Sequence, residues 1–320
     1  MAAFQPGPQA MNSIARFCKA APEVHPVCKK GLYGYQLNHD ANRAFAVLFA
    51  LAAVAYLIVY ACKRTGTDFT VLMLLGISLE IVGYGARMQS VRNPFHEDAF
   101  FLQICSLAIG PAFLTAAVYL CMRRIVFCFG AGDSRFRPQF YTRMAVGGGL
   151  AAVAYKHSGS MKTGNNIMLA GLAFQVFTMI LFIVFAGEFA WRICARYRID
   201  GAAVFGRAHS LAKGRDLVLF LLFVAALSIA TLCIFVRCCF RLAELSGGWT
   251  GELMRNQTLF LVFEGVMVFL ATAVLVIMHP VWSFKPMLES GDGMRLKVFE
   301  KYREHRGKRN SAIVRSDLED

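Results

Sequence analysis

The sequence predicts an all-α fold: a polytopic membrane helical bundle of seven transmembrane helices, with a short or irregular fourth. Three observations carry this. Hydrophobic residues make up 57% of the 320 and charged residues only 17%, whereas a soluble domain is about a quarter charged; mean hydropathy is +0.50. The apolar residues fall into runs near the ~20 residues that cross a bilayer core as a helix. Lys and Arg gather between those runs, and unequally on the two sides.

Each run has its own justification. Residues 44–62 lie between Arg43 and Lys63, residues 69–86 carry only Glu80, and residues 99–122 lie between Asp98 and Arg123. Residues 163–187 and 217–236 are uncharged, and residues 258–279 carry only Glu264. Helices are the expected spanning form, because lipid cannot satisfy exposed backbone groups. The fourth run, 144–155, has twelve uncharged residues including Gly147, Gly148 and Gly149. At a 1.5 Å rise it reaches only ~18 Å of a ~30 Å core. Extending it back to Gln139 restores the length but takes in Arg143.

Charge decides between six crossings and seven. With seven, and the N-terminus outside, segments 63–67, 123–143, 192–216 and the chain after 280 lie inside. They hold 22 of the 34 Lys and Arg, as the positive-inside rule requires. With six, 192–216 and the basic tail fall opposite 123–143. The expected organisation is an external N-terminal arm (1–42), a seven-helix domain (43–284) and a basic cytoplasmic tail (285–320). The arm is polar and bears prolines, so the first run is expected to act as an uncleaved anchor. The expected location is a membrane, the plasma membrane first, with the C-terminus cytoplasmic.

Several function classes are excluded. The net charge of +14 is no nucleic-acid signal, because the basic residues sit between apolar runs and not on a periodic face. Seven histidines form no i, i+4 pair, so no di-iron or zinc signature is present, and neither metal nor cofactor is expected. No run contains a lysine for a retinal Schiff base, and no P-loop is present. An enzyme is the least favoured class. Ten cysteines are scattered; Cys18 and Cys28, both in the arm, are a candidate disulfide, with free thiols the alternative. Asn256 opens a glycosylation sequon that abuts the last run, so occupancy is not expected.

The polar residues inside the runs are the informative ones. Glu80, Gly83, Tyr84 and Arg87 follow i, i+3, i+4, i+7 and share one helix face. Ionisable groups at membrane depth are costly and turn toward a partner or a watery cavity. Glu264 lies six residues into the seventh run, and Glu80 six or seven from the end of the second. Both carboxylates therefore fall ~9 Å below the outer edge. Arg237, Arg241 and Glu244 share a face at the outer end of the sixth run. Pro111, mid-run, frees a backbone carbonyl and is a candidate kink. Gly83 and Gly110 permit close packing, Gln103 and Gln175 are candidate cross-helix donors, and Tyr119 is a candidate interface aromatic.

These motifs, in order, resemble one family. They are Glu80-Ile-Val-Gly83-Tyr84-x-x-Arg87; Leu107-Ala-Ile-Gly110-Pro111-Ala112-Phe113 running to Tyr119; Gly171-Leu-Ala-Phe-Gln175 with Phe177; Arg237-x-x-Phe240-Arg241-x-x-Glu244; and Phe263-Glu264-Gly-Val-Met267 ending at His279-Pro280. Over roughly residues 35–285 the chain is similar to the fungal RTA-like, lipid-translocating exporter family. The resemblance implies seven helices, resistance to toxic amphiphiles (drug and stress resistance) and release of sphingoid long-chain bases. It also implies an Asp and a Gln in the fourth span ahead of a Gly-Gly stretch. Here Arg143-Met144 runs straight into the glycines, so the short fourth run reads as an internal deletion relative to the family.

Two readings of the polar residues stay open from sequence. Carboxylates at that depth suit the amine of an amphiphile, and the same residues suit an Arg–Glu network that only holds helices together. The leading function is export or translocation of amphiphilic lipids or toxic amphiphiles. The alternative is an amphiphile-sensing, receptor-like protein. The expected partners are membrane lipids or amphiphilic small molecules, with anionic lipid as a candidate contact of the tail from Arg295 to Arg309.

Overall fold

The computed structural model describes residues 38–64, 66–92, 97–129, 161–200, 214–247 and 256–283. Its long elements are α1 (His39–Lys63), α2 (Thr67–Arg92), α3 (Glu97–Phe129), α4 (Met161–Asp200) and α5 (Gly214–Ser246). The last segment is broken into α6 (Gln257–Phe260), a π-helical stretch (Leu261–Val266), α7 (Met267–Ile277) and the single turn α8 (Pro280–Ser283). Among the described residues there is no strand, and six helices are long and apolar enough to cross a membrane. The structure therefore agrees with a helical membrane bundle. The expected fourth span, most of the N-terminal arm with Cys18 and Cys28, and the basic tail lie outside the described residues.

Each of the other six apolar runs is helical, and local chemistry sets where the helices begin and end. The Asn38 side chain accepts from the Asp40 and Ala41 amides at 3.0 and 3.2 Å, a standard N-cap. Arg64 takes a left-handed conformation (φ 48°) and its amide donates to the Tyr60 carbonyl at 2.8 Å, closing α1 as a C-terminal cap does. Gly66, at φ 75°, occupies a conformation that costs glycine little. α4 continues past its apolar run to Asp200. In that extension Arg192 donates to Glu188 one turn earlier at 2.6 Å, a pairing that supports exposed helix.

Packing runs through α3, the most enclosed span, while α1 is the least. α1 turns Val47, Leu51, Val54 and Ile58 outward, where apolar side chains meet lipid tails as apolar as themselves. α2 meets α3 along small residues. A Cβ at Gly76 would come 2.6 Å from Leu114 Cδ2, and one at Gly83 would come 2.6 Å from Leu107 Cδ2. A side chain there would force those leucines to shift. α7 is tied to α1 by the Tyr56 hydroxyl, which donates to the Thr272 carbonyl at 3.1 Å.

The irregular span among the described residues is the last one. Sequence reasoning expects a continuous helix over 258–279, but the backbone changes to π geometry over Leu261–Val266, around Glu264. π-helical turns are uncommon and collect at functional sites.

Candidate functional site

Four helical elements bring the predicted polar residues together. α2 supplies Glu80, Tyr84 and Arg87, α5 supplies Arg237, Arg241 and Glu244, and the π stretch supplies Glu264. All seven side chains are buried. α3 supplies no charge, but it supplies backbone. Pro111 has no N–H to offer the Leu107 carbonyl one turn earlier. The Arg237 guanidinium donates to that carbonyl and, with the same nitrogen, to the Glu264 carboxylate. Pro111 thus creates an acceptor that an arginine from another helix fills.

The remaining charges sort themselves by distance. Arg241 donates to Glu244, three residues on, at 2.5 Å. Arg87 lays its guanidinium over the Phe260 ring, 3.9 Å from its centroid, a cation–π contact of about 0.5–2 kcal/mol. Glu80 is different. Neither of its carboxylate oxygens has a hydrogen-bond partner among the described residues. It lies within electrostatic reach of Glu264, Arg237 and Arg241 without bonding to any of them. A Cβ at Gly110 would come 2.9 Å from Glu80 Oε1, so the carboxylate rests against the bare backbone of α3 beside Pro111.

Tyr84 completes the wall. Its ring stacks on Phe45 and Phe49, with centroids 5.4 and 5.7 Å away. Its buried hydroxyl has no hydrogen-bond partner among the described residues. Phe45 in turn packs on Gly265, where a Cβ would sit 2.7 Å from the Phe45 ring. A larger residue at 265 would displace Phe45 and, through it, Tyr84. Phe240 and Phe263 stack at 4.8 Å beside the ion pairs.

Other singled-out residues lie elsewhere. Tyr119 packs its ring against Phe182 at 4.5 Å. Gln175 is buried, and its Nε2 finds no cross-helix partner among the described residues. The backbone carbonyl of Gln175 accepts from Thr178 at 2.9 Å. His279 is buried against Phe69 and accepts the Val281 amide at 3.3 Å. No cluster of metal-ligating side chains occurs among the described residues.

Sequence reasoning missed Phe45, Phe49, Gly265, the π geometry and the arginine that takes the carbonyl freed by Pro111. Pro111 signals the freed carbonyl. The aromatic stack and the π turn have no comparable signal, because phenylalanine and glycine are ordinary residues in an apolar run.

The arrangement holds two bonded ion pairs, each with polar atoms left over, and one carboxylate, Glu80, that bonds to none of the described residues. Buried polar groups are nearly always bonded. Among the described residues Glu80 has no such bond.

Comparisons with known proteins agree with the motif order. A family model described as RTA1 like protein matches residues 73–287, a stretch that contains every one of these polar residues. The sphingoid long-chain base transporter RSB1 of Saccharomyces cerevisiae (strain Lalvin EC1118) is 32% identical over 239 residues, covering 65% of this chain and 63% of that protein. Protein RTM1 of Saccharomyces cerevisiae is 28% identical over 221 residues, covering 64% and 65%. Protoporphyrin uptake protein 1 of Saccharomyces cerevisiae is 26% identical over 218 residues, covering 64% and 66%. The chain therefore spans less than two thirds of the length of these curated relatives. No solved structure matches.

Proposed function

The chain belongs to the RTA1-like family, and on that premise we propose that it translocates amphiphiles carrying an amine, with sphingoid long-chain bases as the type substrate. The observation that carries this is Glu80: fully buried, and without a hydrogen bond or ion pair among the described residues. Glu264 and Glu244 are each already bonded to an arginine. An ammonium entering the cluster gives Glu80 the partner it lacks, and the Tyr84 hydroxyl, one turn away, can bond to polar groups on the same head. The three carboxylates and three guanidiniums cancel formally. The attraction is therefore local, set by which carboxylate lacks a bonded cation and not by the net charge of the site.

In this reading the protein lies in the plasma membrane with the N-terminus outside. The cluster then sits in the outer half of the bundle, and the tail faces the anionic cytoplasmic leaflet. Resistance to toxic amphiphiles follows from moving them out of the cell. The reading involves no catalytic step. In intact cells a tag at the C-terminus should be protected from antibody and protease and should become accessible on permeabilisation. Surface labelling of that tag would reverse the orientation.

The direct test of function is flux. The purified chain in phospholipid vesicles should accelerate transbilayer movement of a labelled long-chain base well above protein-free vesicles. Saturable binding without flux would sink the transport reading and favour an amphiphile sensor.

A further inference from the structure

Two rings of α1 hold the tyrosine of the charged cluster. Phe45 and Phe49 stand one turn apart on α1 and share a face. Tyr84 stacks on both, with interplanar angles of 23° and 22°. Each phenylalanine is in turn backed by the last span. Phe49 meets the Phe269 ring in a T-shaped contact at 6.0 Å, and Phe45 rests on Gly265 in the π stretch. The two rings are therefore wedged between Tyr84 of α2 and the last span.

The contact at Gly265 has no slack. A Cβ there would lie 2.7, 2.8 and 2.9 Å from Phe45 Cζ, Cε1 and Cε2, well inside the ~3.5–4 Å of ordinary carbon contact. Glu264, the residue before, bonds to Arg237. One short stretch of backbone thus holds the ion pair through one residue and the aromatic stack through the next. Phe45 precedes residue 73, where the family match begins, so the stack joins a residue outside the matched region to residues inside it.

What the stack fixes is a hydroxyl. Tyr84 follows Glu80 by one turn on the same face of α2. It is fully buried and lies within electrostatic reach of Glu80 and Glu264. A tyrosine turns about two side-chain torsions, and stacking on two rings restrains both. Hydrogen bonds weaken steeply as their angle bends, so a hydroxyl held in place discriminates where a loose one does not.

We infer that Phe45 is a positioning residue of the head-group site: seated on Gly265, it fixes the Tyr84 hydroxyl one turn from Glu80, and so favours amines that carry a hydroxyl near the nitrogen. The inference rests on the amine-transport reading and adds a second requirement on the head. Glu80 answers the charge, and Tyr84, held by Phe45, answers the neighbouring hydroxyl.

The test compares two amphiphiles of equal chain length and charge. One is a long-chain base with a hydroxyl beside its amine, the other an alkylamine without hydroxyls. Saturable binding and flux of both are measured with the full chain in phospholipid vesicles. The unmodified protein should bind the hydroxylated amine several-fold more tightly. Tyr84→Phe, Phe45→Leu and Gly265→Ala should each lower that preference several-fold. Gly265→Ala placed on Phe45→Leu should lower it no further, because the ring that the new methyl displaces is already gone. Phe69→Leu removes a buried ring of the same α2 that packs on His279; it should lower abundance and leave the preference unchanged.

An unchanged preference in Phe45→Leu, with abundance or both affinities reduced in equal proportion, would assign Phe45 to packing alone and overturn the inference. Additive losses from Phe45→Leu and Gly265→Ala would overturn the link through Gly265. If Gly265→Ala does not accumulate, Phe45→Leu and Tyr84→Phe decide the matter between them. Flux of both amines without preference would remove the positioning role and leave the transport reading standing. Preferential binding without flux would do the reverse.

Discussion

Arg237→Ala should remove most of the folded protein. The side chain is fully buried and bonds at once to the Glu264 carboxylate and the Leu107 carbonyl. Truncation leaves a buried carboxylate without its cation and a backbone acceptor that Pro111 cannot serve. Breaking a buried pair from one side costs about 3–5 kcal/mol, a large share of the ~5–15 kcal/mol that holds an ordinary domain folded. The measurements are full-length abundance in cells and thermal melting in detergent. Arg237→Lys should recover only part of the loss, because the compact ammonium on its own stem does not sit where the guanidinium's terminal nitrogen meets both acceptors. Arg237→Met combined with Glu264→Met should be more abundant than Arg237→Ala, since replacing both members with apolar residues is far less costly than orphaning one. Wild-type abundance and melting in Arg237→Ala would show that the pair contributes little.

Glu80→Gln should act in the opposite way, lowering transport of an amine-bearing amphiphile while abundance holds. Glu80 accepts no hydrogen bond from the described residues, so an amide of the same shape orphans no donor. What disappears is the negative charge that receives the ammonium. Hydrogen bonds to charged groups are worth about 1.5–3 kcal/mol, and each ~1.4 kcal/mol is tenfold. Flux in vesicles should therefore fall on the order of tenfold or more. The readout is flux divided by folded protein. A parallel loss of both would assign Glu80 to the helix-holding network and leave the amine without a receptor.

The two variants differ because the structure sorts residues that look alike in sequence. Glu80 and Glu264 each stand alone in an apolar run, and both are expected to face inward because lipid penalises a charge. Burial of both was legible for that reason. That Glu264 would pair with Arg237 while Glu80 bonds to no described residue was not, because pairing depends on how helices far apart in sequence come to lie together. The six long helices were legible because hydrocarbon demands an apolar run of fixed length. Their ends were less so. α4 outruns its apolar stretch to Asp200, and the i, i+4 pair of Glu188 and Arg192 supports the helix there. The π turn around Glu264 was not legible at all. Leu-Val-Phe-Glu-Gly-Val reads as ordinary helix, and only the structure shows its π geometry, with Gly265 packed on Phe45.

The proline in α3 also bears on the order of assembly. Chain synthesis delivers α3 to the bilayer long before α5 exists. Until Arg237 arrives, the Leu107 carbonyl faces hydrocarbon with no helical N–H to answer it, a cost of several kcal/mol in a medium that offers no alternative donor. α3 is thus an unfinished helix that its own sequence cannot complete, and the donor that completes it lies 130 residues downstream. Insertion and docking are coupled through one bond. A chain that ends between α3 and α5 has the proline's freed carbonyl without the arginine that answers it.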